Sequence, residues 1–275
     1  MRTTNGASDY IQLDSLRLDG YGWNYKRAIA PNIPSTRSAA SSMPGRPGRV
    51  YAPGADVHEP AEINITVQVF PAHPVTGLVE SNFNQRRAQL EDNLQTLLGV
   101  IGRPGRALTY RYVDADGTAW TARAVVVVPA KVTIRENNFT ADITFTLEIP
   151  EVYLRSQTAV SQSVAAGTNR EIAALAGGTA PIYDAVLTVP GTATNPRISV
   201  GDQFITHRGT VTDWTVDTAN MTSLNGAGVS VIEDTGWSGT SMLALQPSVD
   251  ADGAHSYLIT ATHAVEVTAK KARFA

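Results

Sequence analysis

One segment has the pattern of a helix in a chain whose other patterned segments read as strands. Residues 82–101 carry apolar side chains at helical spacing, and Ser81 or Asn82 is suited to cap the start. Gly102, followed by Pro104, ends the run. The apolar stripe consists of Phe83, Leu90, Leu94, Leu97, Leu98 and Ile101. A single helix cannot bury such a stripe alone, so we expect it to pack on a β-sheet.

Alternating apolar and polar residues predict strands on both sides of this helix. Before it, residues 9–14 and 15–19 predict a pair of short strands, and Ile63–Val69 predicts a half-buried strand. After it we expect two hairpins, the first closed by an Asp-Gly turn. Their predicted strands are 108–112 with 120–128, and 131–135 with 140–149. This order of elements predicts an α+β domain with one helix.

Residues 26–60, here called the arm, carry six prolines and little periodicity. An irregular stretch of this length inside a compact domain is typically a functional arm or a disordered loop. Such an arm gains order most readily by adding a strand to a neighbouring copy. The sequence therefore predicts a subunit contact in this region, and the interface residues that we expect are Trp23, Arg46, Pro47, Gly48, Arg49 and Tyr51.

The sequence Gly-Arg-Pro-Gly-Arg occurs twice, at residues 45–49 and 102–106. Pro followed by Gly favours a type II turn, so both copies are consistent with tight surface turns. In the second interpretation, the first copy tips the arm and its arginines meet acidic groups on a neighbouring copy. Arginine suits that contact because its planar fork of donors is pre-organised.

The second half of the chain predicts a different domain. Residues 156–180 are rich in Ser, Thr, Ala and Gly and predict a linker with one weak strand, which places the boundary near Arg155. Short punctuated strands follow, a pattern typical of an antiparallel β-sandwich. They are 182–189, 197–200, 204–207, 211–216, 229–232, 242–245, 257–262 and 264–269. The expected domains are thus 1–155, with the helix, and 156–275, the sandwich, in a chain that is mainly β.

Composition narrows the function classes. Of 275 residues, 43% are hydrophobic and 17% charged, which is typical of a foldable globular chain of about two domains. The formal net charge of −3 gives no reason to propose nucleic acid as a ligand. The chain has no cysteine, which excludes disulfides and cysteine metal ligands. Residues 1–20 lack the apolar core of a signal peptide, and no run predicts a membrane span, so we expect no membrane insertion.

No arrangement of side chains predicts catalysis, a bound metal or a cofactor. The five histidines are not spaced as metal ligands. The segment Gly236-Trp237-Ser238 resembles a nucleophile elbow but has Thr240 where the final glycine belongs. The segments 114–117 and 250–253 are expected to be Asp-Gly hairpin turns rather than calcium loops. We therefore predict that the protein is not an enzyme.

Two tryptophans of the second domain have two interpretations. Trp214 and Trp237 could form a sugar-stacking platform, but strand tryptophans more commonly lie in the core. A sandwich core would use most of the few aromatic residues available, so we expect residues 156–275 to bind no sugar tightly.

The order of these segments resembles that of the distal tail proteins of long-tailed bacteriophages with non-contractile tails. The resemblance runs from the short N-terminal strands through the arm with its Arg-Pro-Gly-Arg, the strand 63–69, the helix and the hairpins that close at 145–153. It continues into the sandwich at 177–182 and 191–196. The chain departs from the Leu-x-Pro-Gly motif frequent in such sandwiches, because it has Ser248 after Leu245-Gln246-Pro247.

The resemblance implies a structural virion protein rather than an enzyme. In that family the N-terminal domain assembles as a homohexameric ring, and a galectin-like or carbohydrate-module-like sandwich lies outside it. The ring is the hub that connects the tail tube to the tail-tip and host-adhesion complex. The implied partners are further copies of the chain, the tail tube protein, the tape-measure protein and a tail-tip hub or tail-associated protein. Receptor-binding proteins and host cell-wall glycans are further candidates. The implied location is the distal end of the tail in the virion, after synthesis in the host cytoplasm.

Three other functions stay open. A carbohydrate-binding adhesion module would use the sandwich for the host surface and the first domain only to oligomerise. A sandwich glycosidase would require two acids at a fixed separation, which a sequence cannot place. A tail-tube subunit would share the strands and the single helix but would be expected to lack the second domain.

Overall fold

The computed structural model describes residues 9–26, 36–37, 40–41, 50–51, 57–102, 106–135, 139–238 and 243–274, and these divide into two compact units. Unit 1 contains the described residues of Met1–Ala39, Asp56–Leu154 and Phe274–Ala275. Unit 2 contains those of Ala40–Ala55 and Arg155–Arg273. The described part of the chain is mainly β with one α-helix, as the sequence predicts. Independent folding of residues 156–275 stays a prediction.

The elements of residues 10–156, in chain order, are β1 (Tyr10–Leu13), β2 (Leu16–Arg17), β3 (Trp23–Tyr25), β4 (Thr36–Arg37), β5 (Ala40–Ser41), β6 (Val50–Tyr51), β7 (Val57–His58), β8 (Ala61–Val69), α1 (Phe83–Ile101), β9 (Ala107–Val113), β10 (Ala119–Arg135), β11 (Thr140–Ile149) and β12 (Tyr153–Ser156). Seven strands of unit 1 lie in the order β2-β1-β9-β10-β11-β8-β3 within a nine-stranded sheet, and β12 also pairs with β10. All pairings along this order are antiparallel. The expected strand pair 9–14 and 15–19 is present as β1 and β2.

Helix α1 packs on this sheet through one face, as its apolar spacing predicts. Its buried residues are Leu90, Asn93, Leu94, Leu97 and Ile101. They join a core with alternate residues of β8, whose strand buries every second side chain. The side chain of Asn82 caps the helix by accepting a hydrogen bond from the Asn84 amide, 2.9 Å away. The predicted stripe was wrong at one end, because Phe83 is 60% exposed.

Strand β10 corrects the prediction of two separate hairpins. Residues 119–135 form one strand of 17 residues, which pairs with β9 over Ala119–Val125 and with β11 over Val125–Arg135. The interruption that the sequence suggests at Pro129 is bridged by irregularities of register between Val126 and Val128 and between Val128 and Lys131. Proline is tolerated at such bulges because no ladder hydrogen bond is needed from its nitrogen.

The arm is not irregular where the structure describes it. Strand β4 pairs with β7 through Thr36 opposite His58, and β5 pairs with β6 through Ala40 opposite Tyr51. Both pairings are antiparallel. The prediction of a stretch without secondary structure was therefore wrong for these residues.

Unit 2 contains two antiparallel sheets, in agreement with the predicted sandwich. The first has the order β13-β23-β15-β18-β19 and the second the order β14-β22-β16-β17-β20, with β21 paired to β22. The strands are β13 (Val160–Val164), β14 (Gly167–Glu171), β15 (Val186–Thr194), β16 (Arg197–Val200), β17 (Gln203–His207), β18 (Thr210–Asp217), β19 (Thr222–Leu224), β20 (Thr235–Trp237), β21 (Pro247–Val249), β22 (His255–Ala261) and β23 (Val265–Ala269). The last strand, β24 (Ala272–Phe274), belongs to neither of these sheets.

Three segments of unit 2 differ from the sequence-based expectation. In the expected strand 242–245, the described residues contribute only an isolated bridge of Leu245 to Ile182. Residues 156–180, expected as a linker with one weak strand, contain both β13 and β14, which pair with β23 and β22. Residues 229–232, expected as a strand, instead form a loop that contributes one isolated bridge, Leu224 to Ser230, and then a 3-10 helix at Ile232–Asp234. Strands β13 and β14 were not predicted as a pair because residues 156–180 are mostly small and polar. Both strands lie at sheet edges, where few apolar residues are needed.

Both Asp-Gly segments are turns, as predicted. In the first, the Asp114 carboxylate accepts a hydrogen bond from the Thr118 amide at 2.9 Å, and Gly117 has a φ of 87°. In the second, the Asp250 carboxylate accepts from the amides of Asp252 and Ala254. A side chain that bonds its own backbone in this way fixes a tight turn.

Candidate assembly surface

The loop between β8 and α1 presents three large apolar side chains to solvent. Val75, Leu78 and Val79 are 78%, 68% and 53% exposed, and we call them the apolar loop. These residues follow Pro71 and Pro74 in the chain and do not belong to the hydrophobic core of unit 1. They are therefore candidates for contact with another molecule.

Hydrogen bonds hold this loop in one conformation. The His73 amide donates to the Leu78 carbonyl at 2.8 Å, and the Gly77 amide donates to the His73 carbonyl at 2.9 Å. The ring of His73 accepts from the amides of Val75 and Thr76. Gly77 has a φ of 72°, and a Cβ there would lie 2.8 Å from the Tyr21 ring, so no other residue fits.

Asn93 ties the base of the loop to the helix. Its side chain is 2% exposed, and its Nδ2 donates to the carbonyls of Phe70 at 2.7 Å and Ala72 at 2.9 Å. Its Oδ1 accepts from Gln89 Nε2 at 3.0 Å. Both amide functions are thus used. The position of Val75 and its neighbours is therefore set by a buried polar residue of the helix.

The exposed start of the helix meets the end of the β10–β11 hairpin. The rings of Phe83 and Phe139 lie 4.9 Å apart, edge to face. Such a pair is favourable beyond the area that it buries. The contact joins the apolar loop, which leads into Phe83, to the hairpin end.

The hairpin end, defined here as Val132, Ile134 and Phe139, continues the buried face of the sheet outward. Ile134 lies opposite Ala141 and Val132 opposite Ile143, and both partners are fully buried. Directly opposite side chains of an antiparallel pair share a face. Yet Ile134 is 60% exposed and Val132 38%. The core face of the sheet therefore extends to residues that no described part of the chain covers.

Large exposed apolar residues are concentrated in unit 1. Of the thirteen among the described residues, nine belong to unit 1 and four to unit 2. The assembly surface, as we use the term, consists of the apolar loop, Phe83 and the hairpin end. Exposed large apolar side chains concentrated in one unit are candidates for an interaction site.

The first residue of the arm is attached beside this surface. Lys26 Nζ lies 2.6 Å from Asp142 Oδ1, and Arg135 of the hairpin lies 2.7 Å from Asp142 Oδ2. The preceding Tyr25 donates its hydroxyl to the Asp9 carbonyl at 3.0 Å, and burial, assisted by the Asp9 charge, raises the pKa of Tyr25 well above its ordinary value. The start of the arm is therefore fixed to the sheet that carries the hairpin end.

The predicted interface residues have different placements. Trp23 is buried in the core of unit 1, and its indole nitrogen donates to the Arg17 carbonyl at 2.6 Å. Tyr51 lies in β6, opposite Ala40. Arg46, Pro47, Gly48 and Arg49 lie outside the described residues. A contact of these residues with a neighbouring copy stays a proposal.

The two tryptophans of the sandwich also differ. Trp214 is fully buried, donates to Ser223 Oγ at 2.8 Å and lies 6.1 Å from the ring of His207. Its ring offers no face to a ligand, so it is a core residue and not part of a stacking platform. Trp237, in β20 opposite Ile205, is partly exposed, and sugar stacking there stays a hypothesis.

The chain was compared with known proteins. No protein-family profile matches it, and no curated protein matches it either. Among the solved structures, one with a similar fold has a described role. It is the Dit protein (gp 19.1) of the phage SPP1, described as a paradigm of the hub adsorption apparatus in phages that infect Gram-positive bacteria. The likeness covers 96% of this chain and 98% of that one, with a TM-score of 0.59 and 11% sequence identity. It therefore extends over both units.

Sequence reasoning missed most of the assembly surface. Phe83 was assigned to the buried stripe, and Val75, Leu78 and Val79 fell between two predicted elements. The available signal was the presence of three apolar residues in a short segment that begins with two prolines. The exposure of Ile134 was missed because it lies in a regularly alternating strand. Alternation predicts which face of a strand is apolar, but not how far along the strand that face is buried.

No described helix is long and apolar enough to span a membrane. Within the described ranges, no group of three or more His, Asp or Glu residues is placed to hold a metal ion.

Proposed function

We propose that this protein is a structural component of a phage tail tip, a homohexameric hub that connects the tail tube to the host-adhesion complex. The observation that carries the proposal is the likeness to the SPP1 hub protein over 96% of the chain, which includes both units. A tail-tube subunit would account for unit 1 alone. The match through the sandwich therefore favours the hub.

Unit 1 forms the ring in this proposal, and the assembly surface is the contact between neighbouring copies. An exposed apolar loop in one conformation is suited to this role, because little conformational entropy is lost when it is covered. The arm, attached to the sheet at Lys26, reaches the adjacent copy. The sandwich lies outside the ring.

The proposed partners are those of a tail hub. The tail tube and tape-measure proteins lie on one side of the ring, and a tail-tip hub or tail-associated protein lies on the other. The protein acts at the distal end of the tail in the virion and is made in the host cytoplasm. Its role is structural, and no catalytic residue is assigned.

The solution mass tests this proposal. We expect light scattering to give about six times the chain mass of 29.3 kDa. Ile134→Asp should give a monomer, because an unpaired carboxylate in an apolar interface costs several kcal/mol. Val249→Asp is the matched control, since Val249 is 57% exposed in unit 2 and Ile134 is 60% exposed in unit 1. A monomeric wild type would refute the hub. A hexameric Ile134→Asp variant would show that the hairpin end is not part of the interface between copies.

A further inference from the structure

A loop of unit 2 contains a chemically reactive dipeptide that the hub role does not use. The sequence has two Asn-Gly steps, 5–6 and 225–226, and the second lies in the described loop between β19 and the 3-10 helix. In such a step the backbone nitrogen of the glycine can attack the side-chain carbonyl carbon of the asparagine. Glycine favours the attack because it has no Cβ and adopts conformations that are strained for other residues. Asn225 is therefore a candidate for deamidation.

The reaction needs no partner other than water. The nitrogen of Gly226 loses its proton and bonds to Cγ of Asn225, while the bond from Cγ to Nδ2 breaks. The proton passes to the departing amide group, which leaves as ammonia, and a five-membered succinimide remains. Water then opens this ring at one of its two carbonyls and gives aspartate or isoaspartate, with no change of oxidation state. Because Gly226 is exposed and Asn225 is half-buried, water reaches the site.

The fold holds the attacking nitrogen in a backbone hydrogen bond. The Gly226 amide donates to the carbonyl of Thr212, in β18, at 2.9 Å. A Cβ built on Gly226 would lie 2.9 Å from Cβ of Asp213, so the loop and the strand are in close contact here. The nitrogen of a succinimide carries no hydrogen, and the bond to Thr212 is therefore lost when the ring forms. This bond opposes the reaction in the folded protein.

Further hydrogen bonds fix the asparagine itself. Its Oδ1 accepts from the amides of Ala227 and Val229, each at 3.0 Å. Its main-chain amide donates to the Val229 carbonyl at 2.9 Å, and its carbonyl accepts from the Gly228 amide at 2.8 Å. Side chain and main chain of Asn225 are thus both held, and rotation of Cγ toward the glycine nitrogen is opposed.

The far end of the loop is held by β19 and β20. The Val231 amide donates to the Ser223 carbonyl at 2.8 Å, and the Val231 carbonyl accepts from Thr235 Oγ1 at 2.9 Å. The loop is therefore fastened at both ends. A variant at Thr235 loosens it without touching any contact of Asn225 or Gly226.

Modification would change both the charge and the length of the loop. Aspartate at position 225 adds a carboxylate to a groove that already has Asp213 and Asp234 among its lining residues, and like charges repel. Isoaspartate adds one main-chain carbon before Gly226, which displaces this residue relative to Thr212. Either product opposes the return of the native contacts.

We propose that Asn225 is a deamidation site that the fold keeps unreactive until the loop 225–231 leaves β18, and that the isoaspartate form does not regain the native hydrogen bonds. The loop then records the opening of this part of unit 2 irreversibly. Val229 and Ile232 are 58% and 40% exposed, so the same reaction alters an exposed apolar surface of the sandwich. The proposal concerns unit 2 alone and does not depend on ring formation.

Peptide mapping by mass spectrometry on the full-length protein tests this proposal. The protein is incubated at mildly alkaline pH, both folded and unfolded in guanidinium chloride, and the mass gain of deamidation is followed. We expect Asn225 to react in the unfolded chain and to react about tenfold or more slowly in the folded protein, because only the open fraction reacts. Asn220, which precedes Met221, is the internal reference and should stay intact over the same time in both samples.

Two variants test whether the loop is the barrier. Thr235→Val keeps the size of the side chain but removes the bond to the Val231 carbonyl, so it should speed the reaction of the folded protein severalfold. Thr262→Val is the matched control, because it removes a hydroxyl that accepts from the Arg197 amide elsewhere in unit 2. It should leave the rate unchanged. Circular dichroism of each variant checks that the fold is intact.

Hydrogen exchange of the Gly226 amide tests the second part of the proposal. This amide should exchange slowly in the unmodified protein and rapidly in the isoaspartate form. The proposal is overturned if Asn225 stays intact in denaturant, or if it reacts as fast in the folded protein as in the unfolded chain. It is also overturned if Thr235→Val reacts no faster than Thr262→Val, or if the isoaspartate form keeps a slowly exchanging Gly226 amide.

Discussion

At the scale of single residues, Asn93 is the side chain on which the assembly surface depends most. Asn93→Leu would remove the donors to two buried carbonyls, of Phe70 and Ala72, while filling a similar volume. We expect a loss of about 2 kcal/mol or more in the free energy of unfolding. Urea unfolding of unit 1 measures it, with Gln95→Leu on the exposed helix face as the control. An unchanged midpoint in Asn93→Leu would show that these bonds contribute little.

A second residue-scale prediction concerns alkaline pH. Burial raises the pKa of Tyr257 to about 12, and its hydroxyl donates to the Ala180 carbonyl at 2.7 Å. Because this pKa lies above that of an unfolded tyrosine, about 10, the contribution of Tyr257 is fully present below pH 10. It is lost as the pH rises from about 10 towards 12.

The variant Tyr257→Phe tests this assignment. It should be less stable than the wild type by about 1 kcal/mol near neutral pH, since it loses one hydrogen bond. The difference should shrink above about pH 10. Urea unfolding of both proteins across this range measures it. A difference that stays constant with pH would contradict the assignment.

Whether the burial of a residue could be predicted from the sequence depends on what that residue contacts. Leu90, Leu94, Leu97 and Ile101 were predicted correctly because one helix face packs on one sheet, and helical spacing reports that face. The exposure of Phe83 was not predicted, because the burial of a residue in the first turn of the helix depends on where the sheet beneath it ends. The burial of Asn93 has no sequence signal, since it depends on chain segments distant in sequence.

At the scale of elements, the packing of the helix on the sheet has a direct test. Leu97 is fully buried, so Leu97→Asp would place an unpaired carboxylate in the core of unit 1. The cost is several kcal/mol, comparable with the stability of a whole domain. We expect loss of folded unit 1 by near-ultraviolet circular dichroism. Gln95→Asp, on the exposed face, should fold normally. A soluble and folded Leu97→Asp protein would refute the packing.

The arm should act as a clasp between copies. Deleting residues 30–58 removes β4 to β7 but leaves β3 and β8, which pair with each other. We expect monomers with otherwise native strand content, measured by light scattering and circular dichroism. Persistent hexamers would show that the arm is not the clasp. A variant of unchanged length with Arg46→Ser and Arg49→Ser separates the contribution of these two arginines to assembly from that of the rest of residues 30–58.

The elements also show where pattern reasoning stops. Alternation predicted the strands on either side of Pro129, but their fusion into β10 depends on bulges that only the pairing with β11 defines. The strands β4 to β7 of the arm were missed because each is two residues long, too short for any periodicity to develop. Strands β13 and β14 were under-predicted because their composition is that of a linker.

At the scale of the whole molecule, the large exposed apolar side chains are divided unequally between the two units. Unit 1 carries nine of the thirteen found among the described residues, which is why we assign the contacts between copies to this unit. The order of segments in the sequence was enough to suggest a family and a two-domain chain. The surface that would join copies required the three-dimensional structure, because it is built from segments that are separate in the sequence.

The proposed hub requires that unit 1 closes a ring of six copies. Electron microscopy of the purified full-length protein tests it most directly, through two-dimensional class averages viewed along the ring axis. The account predicts six-fold rings with an open centre and with additional density at the periphery for each sandwich. Averages that contain only single compact particles, at concentrations where the protein is stable, would contradict it.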